Sequence, residues 1–188
     1  MDGLTNHLTG PLRADGRRAW APVLIGIGAN RTWQGRMPRD NVPRAAASLA
    51  SLGQGVVLSP LYRSPAWPDP AAPPYVNAAA LFASPLEPRA LLAGLHAIEA
   101  AFGRLRSRDP ARRYAPRTLD LDLLAVGDLE LRTDELTLPH PRIAERDFVL
   151  LPLKDVAPGW VHPVTGAAVE ELLAELPAVT ARRLSRRD

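Results

Sequence analysis

Arg113-Tyr114-Ala115-Pro116-Arg117-Thr118-Leu119-Asp120-Leu121-Asp122-Leu123-Leu124 is the stretch around which the chain can be ordered. A strand over Leu119 to Val126 sends Thr118, Asp120, Asp122 and Leu124 to one face and Leu119, Leu121, Leu123 and Ala125 to the other. Two carboxylates then stand side by side, backed by leucines. Neighbouring carboxylates raise one another's pKa, so such a pair calls for a cation, and magnesium is the expected one. Arg104, Arg106, Arg108, Arg112, Arg113 and Arg117 come just before it. Guanidinium forks suit phosphate oxygens. A D-x-D alone is more often a solvated face, and an arginine run more often a wetted surface. Their adjacency across Pro116 favours a polyphosphate site.

The chain has 188 residues, enough for one domain with a core and short for two. Its hydrophobic share of 46% and charged share of 23% are ordinary for a globular protein. No apolar run approaches a membrane span, and residues 1 to 22 lack a secretory apolar core, so a cytoplasmic protein without membrane contact is expected. With no cysteine, disulfides, zinc-thiolate sites and thiol catalysis are excluded. Lys154 is the only lysine, and the arginine, alanine and proline bias reads as genome composition. Three segments are expected: a flexible extension over 1–21, a folded domain over 22–177 and a frayed basic tail over 178–188 that includes Arg182, Arg183, Arg186 and Arg187.

Val23-Leu24-Ile25-Gly26-Ile27-Gly28 reads as a buried strand, with Gly26 and Gly28 on one face where something approaches the backbone. A dinucleotide fingerprint fails at Arg31, which occupies the sixth position of G-x-G-x-x-G. Asp40 or Asn41 is expected to cap a helix with the stripe Val42, Ala46, Leu49 and Ala50, ended by Gly53. Val56 to Leu58 reads as a strand. Prolines 65, 68, 70, 73 and 74 forbid regular structure after Ser64 and make a long loop carrying Trp67. Tyr75 to Phe82 alternates as a central strand with Tyr75 and Asn77 at its start, a pairing that suits either a planar heterocycle or a buried structural contact.

A helix from Pro88, or from a Ser84–Glu87 capping box, runs to Phe102 and ends at Gly103, with Leu91, Leu95, Ile98 and Phe102 inward. His96 and Glu99 share an adjacent face, either a surface pair or a reach toward a nucleotide. Val126-Gly127-Asp128-Leu129 reads as a hairpin turn into Glu130 and Leu131. His140 lies between Pro139 and Pro141. A short helix holds Leu150, Leu151 and Leu153, with Pro152 inside it, and a last helix carries Val169, Leu172, Leu173 and Leu176.

Several motifs in order give the chain a resemblance to the 6-hydroxymethyl-7,8-dihydropterin pyrophosphokinases over about residues 23 to 176. The motifs are Pro116-Arg117-Thr118-Leu119-Asp120-Leu121-Asp122, Leu138-Pro139-His140-Pro141-Arg142, Glu145-Arg146-Asp147-Phe148 through Leu153, Tyr62-Arg63-Ser64-Pro65, Tyr75-Val76-Asn77-Ala78, and Ile98-Glu99 before Gly103-Arg104. The resemblance implies a ferredoxin-like α+β fold, three layers deep, with a mainly antiparallel central sheet between helices. It implies transfer of ATP's terminal pyrophosphoryl unit to the pterin's hydroxymethyl oxygen, releasing AMP. Two magnesium ions would sit on Asp120 and Asp122. Arg104, Arg106, Arg113 and Arg117 would face the phosphates, with Arg113 and Tyr114 on a closing loop. His96, Glu99, Leu123, His140 and Arg146 match nucleotide-site positions. Ser64, Pro65, Ala66, Trp67, Tyr75, Asn77 and Phe148 match the pterin pocket. A monomer is expected.

The chain departs from the family pattern in three places. Gly28-Ala29-Asn30-Arg31-Thr32 replaces the usual Gly-Ser-Asn-Leu-Gly and is followed by a longer loop. The pterin loop reads Trp67-Pro68-Asp69-Pro70-Ala71-Ala72-Pro73-Pro74 in place of a glycine and a Gln-Pro-Asp step. Tyr114 stands where some relatives have tryptophan. An RNA-binding module of the same fold class is the rival reading, but such modules display aromatics on the sheet, and this central strand shows mostly alanine, valine and leucine, so no nucleic-acid partner is expected. A relative that binds pterin without turnover is the other.

Overall fold

A computed structural model describes residues 19–105 and 115–185. The expected roles of Arg106, Arg108, Arg112, Arg113 and Tyr114, and of Arg186, Arg187 and most of the 1–21 extension, fall outside the described residues. The chain builds β1 (Ala21–Ala29), α1 (Pro38–Ser48), β2 (Gln54–Leu58), β3 (Tyr62–Ser64), β4 (Tyr75–Ser84), α2 (Pro88–Ala101) and β5 (Asp120–Val126). There follow β6 (Leu131–Arg132), β7 (Thr137–Leu138), α3 (Asp147–Val156), α4 (Val169–Ala174) and β8 (Arg182–Arg183). The main sheet runs β5-β1-β4-β3-β8, with β2 also paired to β4, and all its pairings are antiparallel.

The alternation of side chains along β1 and β4 divides the molecule into layers. Val23, Ile25 and Ile27 of β1 and Ala78, Ala80 and Phe82 of β4 turn to one face. There they meet Val42, Ala45, Ala46 and Leu49 from α1 and its 3-10 extension, and Leu91, Leu95 and Ile98 of α2. Leu24, Leu81 and Leu124 turn to the other face and meet Val149, Leu150 and Leu153 of α3 and Val169 and Leu172 of α4. This is the expected three-layer arrangement. Among the described residues no helix is long and apolar enough to cross a membrane.

Local expectations are corrected in several places. Helix α1 starts earlier than its polar residues imply: Met37 is the N-cap and Pro38, whose fixed φ suits a first turn, opens it. Asp40 and Asn41 sit inside that first turn, and Ala50 is exposed, with Ala45 taking its place in the stripe. Pro88, not a Ser84–Glu87 box, opens α2. Glu87 makes no side-chain cap, and the Ser84 hydroxyl donates to Leu52 O. Gly53 does not carry a positive φ; what it allows is close approach to β4. Gly103, at φ +75°, does end α2 in the left-handed region that glycine favours. Leu176 lies past the end of α4.

Two corrections bear on the site. Strand β5 holds an extra residue: Leu123 pairs with Ile25 while Ala125 pairs with Leu24, so Leu124 forms a bulge and Ala125 turns to the α3 side, away from the face shared by Leu119, Leu121 and Leu123. The expected hairpin from β5 into Leu131 does not form. The turn closes, Leu129 N donating to Val126 O at 3.0 Å, but Leu124 O on the free edge of β5 accepts from His140 N at 2.8 Å, and β6 pairs with β7 instead.

The tail is not frayed over its described part. Arg182 and Arg183 pair with β3, and the Asp147 carboxylate accepts hydrogen bonds from Ala181 N at 2.8 Å, from the Thr180 hydroxyl at 3.0 Å and from Thr180 N. The Tyr62 hydroxyl of β3 donates to Asp155 at the other end of α3 at 2.7 Å. Burial, then the hydrogen bond to Asp155 and that carboxylate's charge, push the Tyr62 pKa up from 10.0 to about 12. A folded-state pKa above the unfolded one contributes stability that is complete below pH 10.0 and lost as pH rises toward about 12. Urea midpoints measured across that window are expected to fall less in Tyr62→Phe than in the native chain; parallel falls would refute the coupling.

Candidate active site

The two faces of β1 differ at its C-terminal end. Gly26 and Gly28 replace side chains on the α3 side, and the register sets Gly26 opposite Asp122 and Gly28 opposite Asp120 on one flank and Asn77 on the other. A Cβ added at Gly26 would lie 3.5 Å from Leu124 Cδ2 and 3.7 Å from Asp122 Cβ. One at Gly28 would lie 3.4 Å from Asn77 Oδ1 and 3.6 Å from Tyr75 Cδ1. Those are close to ordinary contact distances, so no clash with the protein demands glycine here. What the missing Cβ atoms leave is a bare backbone floor with the aspartates along one side and Tyr75 and Asn77 along the other.

On the aspartate side, Arg104 and Arg117 both donate to the Asp120 carboxylate, and Arg104 also donates to Glu99. Arg146, the N-cap of α3, donates to Asp122 at 3.3 Å and lies 5.6 Å from the Phe148 ring centre. Burial works against ionising Asp120, yet the guanidiniums of Arg104 and Arg117 hold its pKa below the ordinary carboxylate value. Asp122 goes the other way: burial and then the charge on Asp120 raise its pKa, and His140, Arg146 and Arg117 offset only part of this. Burial, reinforced by Arg146 and Arg142 against the pull of Asp122, lowers the pKa of His140, so at neutral pH the ring is uncharged. Its Nδ1 accepts Arg142 N–H at 3.1 Å, which leaves the proton on Nε2.

These groups open onto a cavity of about 370 Å³ between α2, β5 and the β6–β7 hairpin. His96, Arg104, Arg117, Asp120, Asp122 and His140 all line it. Leu123 borders it too, although its side chain belongs to the core. Glu99 does not lie on the surface. It is 1% exposed, accepts Leu121 N–H at 2.8 Å and holds Arg104, so its place is beneath the site.

Across the floor, Asn77 Nδ2 donates to Ser64 Oγ at 2.9 Å, which leaves Oδ1 turned over Gly28. Ala66 is buried and Pro65 exposed, while the Trp67 indole is 70% exposed. Two residues went unnoticed as site residues in sequence. Asn30 bonds to both flanking loops, and an asparagine two positions after Gly26-Ile27-Gly28, just past the strand end, was the available signal. Thr118 keeps a buried hydroxyl with no hydrogen-bond partner among the described residues, and only three-dimensional placement reveals it.

Asp120 and Asp122 fit a magnesium site by donor chemistry. They supply hard oxygen ligands on neighbouring positions of one strand face, beside a cavity that could admit phosphates, and the raised pKa of Asp122 marks a carboxylate short of positive charge. Among the described residues no group of three or more histidines and carboxylates could hold a metal by itself. A magnesium bound through two carboxylates needs its remaining ligands from substrate phosphates and water.

A model of the 7,8-dihydro-6-hydroxymethylpterin-pyrophosphokinase (HPPK) family matches residues 24–158. The chain is 41% identical over 140 residues to the 2-amino-4-hydroxy-6-hydroxymethyldihydropteridine pyrophosphokinase of Synechocystis sp., covering 73% of this chain and 69% of that protein. It is 37% identical over 154 residues to the protein of the same name from Methylorubrum extorquens, covering 82% and 92%. Among solved structures it resembles wild-type Plasmodium falciparum HPPK-DHPS with pteroate at a TM-score of 0.62 and 13% identity, covering 83% of this chain and 42% of that one. The chain therefore spans less than half of that longer protein, and the likeness speaks to the fold.

Proposed function

The chain belongs to the 7,8-dihydro-6-hydroxymethylpterin-pyrophosphokinase family, and on that premise we propose how its site works. The reaction moves ATP's terminal pyrophosphoryl unit onto the hydroxymethyl oxygen of 6-hydroxymethyl-7,8-dihydropterin, a step of folate biosynthesis, and releases AMP. The observation that carries the assignment is the glycine floor, with paired carboxylates and arginines on one flank and an aromatic beside a carboxamide on the other.

The phosphates of ATP enter the cavity beside β5. Arg104 and Arg117, which close on Asp120 in this structure, transfer their hydrogen bonds to phosphate oxygens, with Arg106 and Arg113 of the intervening sequence joining them. That exchange frees the Asp120 carboxylate. Asp120 and Asp122 would hold two magnesium ions, whose chemistry would be to neutralise charge on the transferring group and make the hydroxyl a better nucleophile. Arg146 and neutral His140, a donor through Nε2, hold the nucleotide from the α3 side, with His96 along the cavity wall. Glu99 acts from below by fixing Arg104. On the other flank Tyr75, with Phe148 reaching in from beside Arg146, holds the pterin faces, and Asn77 Oδ1 accepts from the ring edge. Ser64 orients that carboxamide, and the Pro65-Ala66-Trp67 segment covers the pocket. The assignment needs side chains from one copy of the chain only, and a monomer is proposed.

The deciding experiment mixes the protein with ATP, magnesium and the hydroxymethyl pterin and separates the nucleotides. AMP is expected; ADP, or no product, would reject the assignment. Asn77→Ala is expected to raise the pterin KM about tenfold or more, since a ring N–H would lose its buried acceptor. An unchanged pterin KM would remove Asn77 from the pocket.

A further inference from the structure

Asn30 stands at the start of the loop after β1, and its side chain is 5% exposed. Its polar atoms reach outward to both neighbouring loops. Oδ1 accepts the Arg117 N–H at 2.7 Å, while the backbone N–H groups of Asn30 and Arg31 both donate to Arg117 O at 3.0 Å. Nδ2 donates to Pro73 O at 2.9 Å. One buried carboxamide thus fixes the peptide that carries Arg117, three residues before Asp120, and also the end of the proline loop, two residues before Tyr75.

We propose that Asn30 is a positioning residue with two separable halves: through Oδ1 it places Arg117 and the phosphate flank, and through Nδ2 it places the proline loop and the pterin flank. The inference rests on the proposed function, in which the two flanks serve two different substrates. The chemistry of the amide makes the halves distinguishable. An acceptor alone satisfies Arg117 N–H, and a donor alone satisfies Pro73 O. A single Asn fits both because its two ends differ. Asn30 itself need touch neither substrate, so its effect passes through the backbone it holds.

A role confined to stability would lower the unfolding temperature and leave the two KM values in their native ratio. A positioning role splits them. Asn30→Asp keeps an acceptor for Arg117 and sets an oxygen against the Pro73 carbonyl, so the pterin KM is expected to rise about tenfold while the ATP KM stays within about twofold. Asn30→Ala removes both halves, and both KM values are expected to rise. Should Asn30→Asp fail to fold, Asn30→Ala carries the test, and an unchanged KM for either substrate would overturn the inference. AMP release at varied ATP and at varied pterin, with thermal unfolding alongside, reads all of these. Equal shifts in the two KM values for the acceptor-keeping variant, or a lower unfolding temperature with neither KM moved, would overturn the inference while native turnover upholds the function beneath it. Absence of AMP from the native chain would overturn that function, and this inference with it.

Discussion

Asp122→Ala is expected to lower AMP release about 10³-fold or more, which is about 4 kcal/mol in the barrier, and to leave the folded state no less stable than before. The two halves of this result have different origins. Turnover falls because a metal held by two carboxylates and the substrate's phosphates loses half of its protein ligands. Stability holds because Asp122 is a strained anion in the free protein: burial and the neighbouring Asp120 charge raise its pKa, so the native state resists ionising it. With a folded-state pKa above the unfolded value, the carboxylate destabilises the native state once pH has risen past that pKa, and alanine removes the penalty.

Asp120→Ala should match it in lost turnover and differ in stability. Arg104 and Arg117 both lose their acceptor, and Asp120, whose pKa is lowered, contributes stability above the ordinary carboxylate value that disappears as pH falls through the folded one. With Arg117 partly exposed, a loss of about 1–2 kcal/mol is expected. From sequence the two aspartates look equivalent, and it is the guanidiniums that separate them. Retained AMP release in either variant would falsify the metal assignment. Equal urea midpoints for the two would refute the electrostatic asymmetry.

What the sequence made legible was whatever depended on alternation. Strand β1 reads as a continuous apolar run and β4 and β5 by alternation, which put Gly26 with Gly28, Tyr75 with Asn77 and Asp120 with Asp122 on shared faces; that these faces meet around one floor comes from the strand pairing. Contacts set by a single distant partner were hidden. Nothing near Arg182 marks a strand, because β8 is two exposed arginines that pair only where β3 offers an open edge and Asp147 fixes the preceding turn. Glu99 read as either a surface acid or a reach toward a nucleotide, and its burial was hidden because the Leu121 N–H it accepts lies 22 positions away. The β5 bulge also had no local signal. It becomes visible only when Leu123 and Ala125 are both matched against β1.

Gly53→Ala is expected to lower the stability of the folded chain sharply. In sequence Gly53 reads as the stop signal of a helix, which predicts that an alanine there would meet backbone strain from a left-handed φ. The structure assigns a different cause. A Cβ built on Gly53 would stand 2.1 Å from Ala83 O and 2.7 Å from Phe82 Cδ2. One obstacle is backbone and the other is a ring with no exposed surface, so neither can swing aside. To admit the methyl group, β2 must separate from β4 near the Gln54–Ala83 pairing, loosening the layer that α1 and α2 cover. Overpacking of this kind costs about 3 kcal/mol, a large part of the roughly 5–15 kcal/mol by which a domain is stable. A fall of about 6–12 °C in the unfolding temperature corresponds to that loss for a chain of this length. Gly159→Ala is the control: nothing lies within 4 Å of its Cβ position, and a change within about 0.5 kcal/mol is expected. If the two variants unfold at the same temperature, the close approach of β2 to β4 is not what requires glycine at position 53.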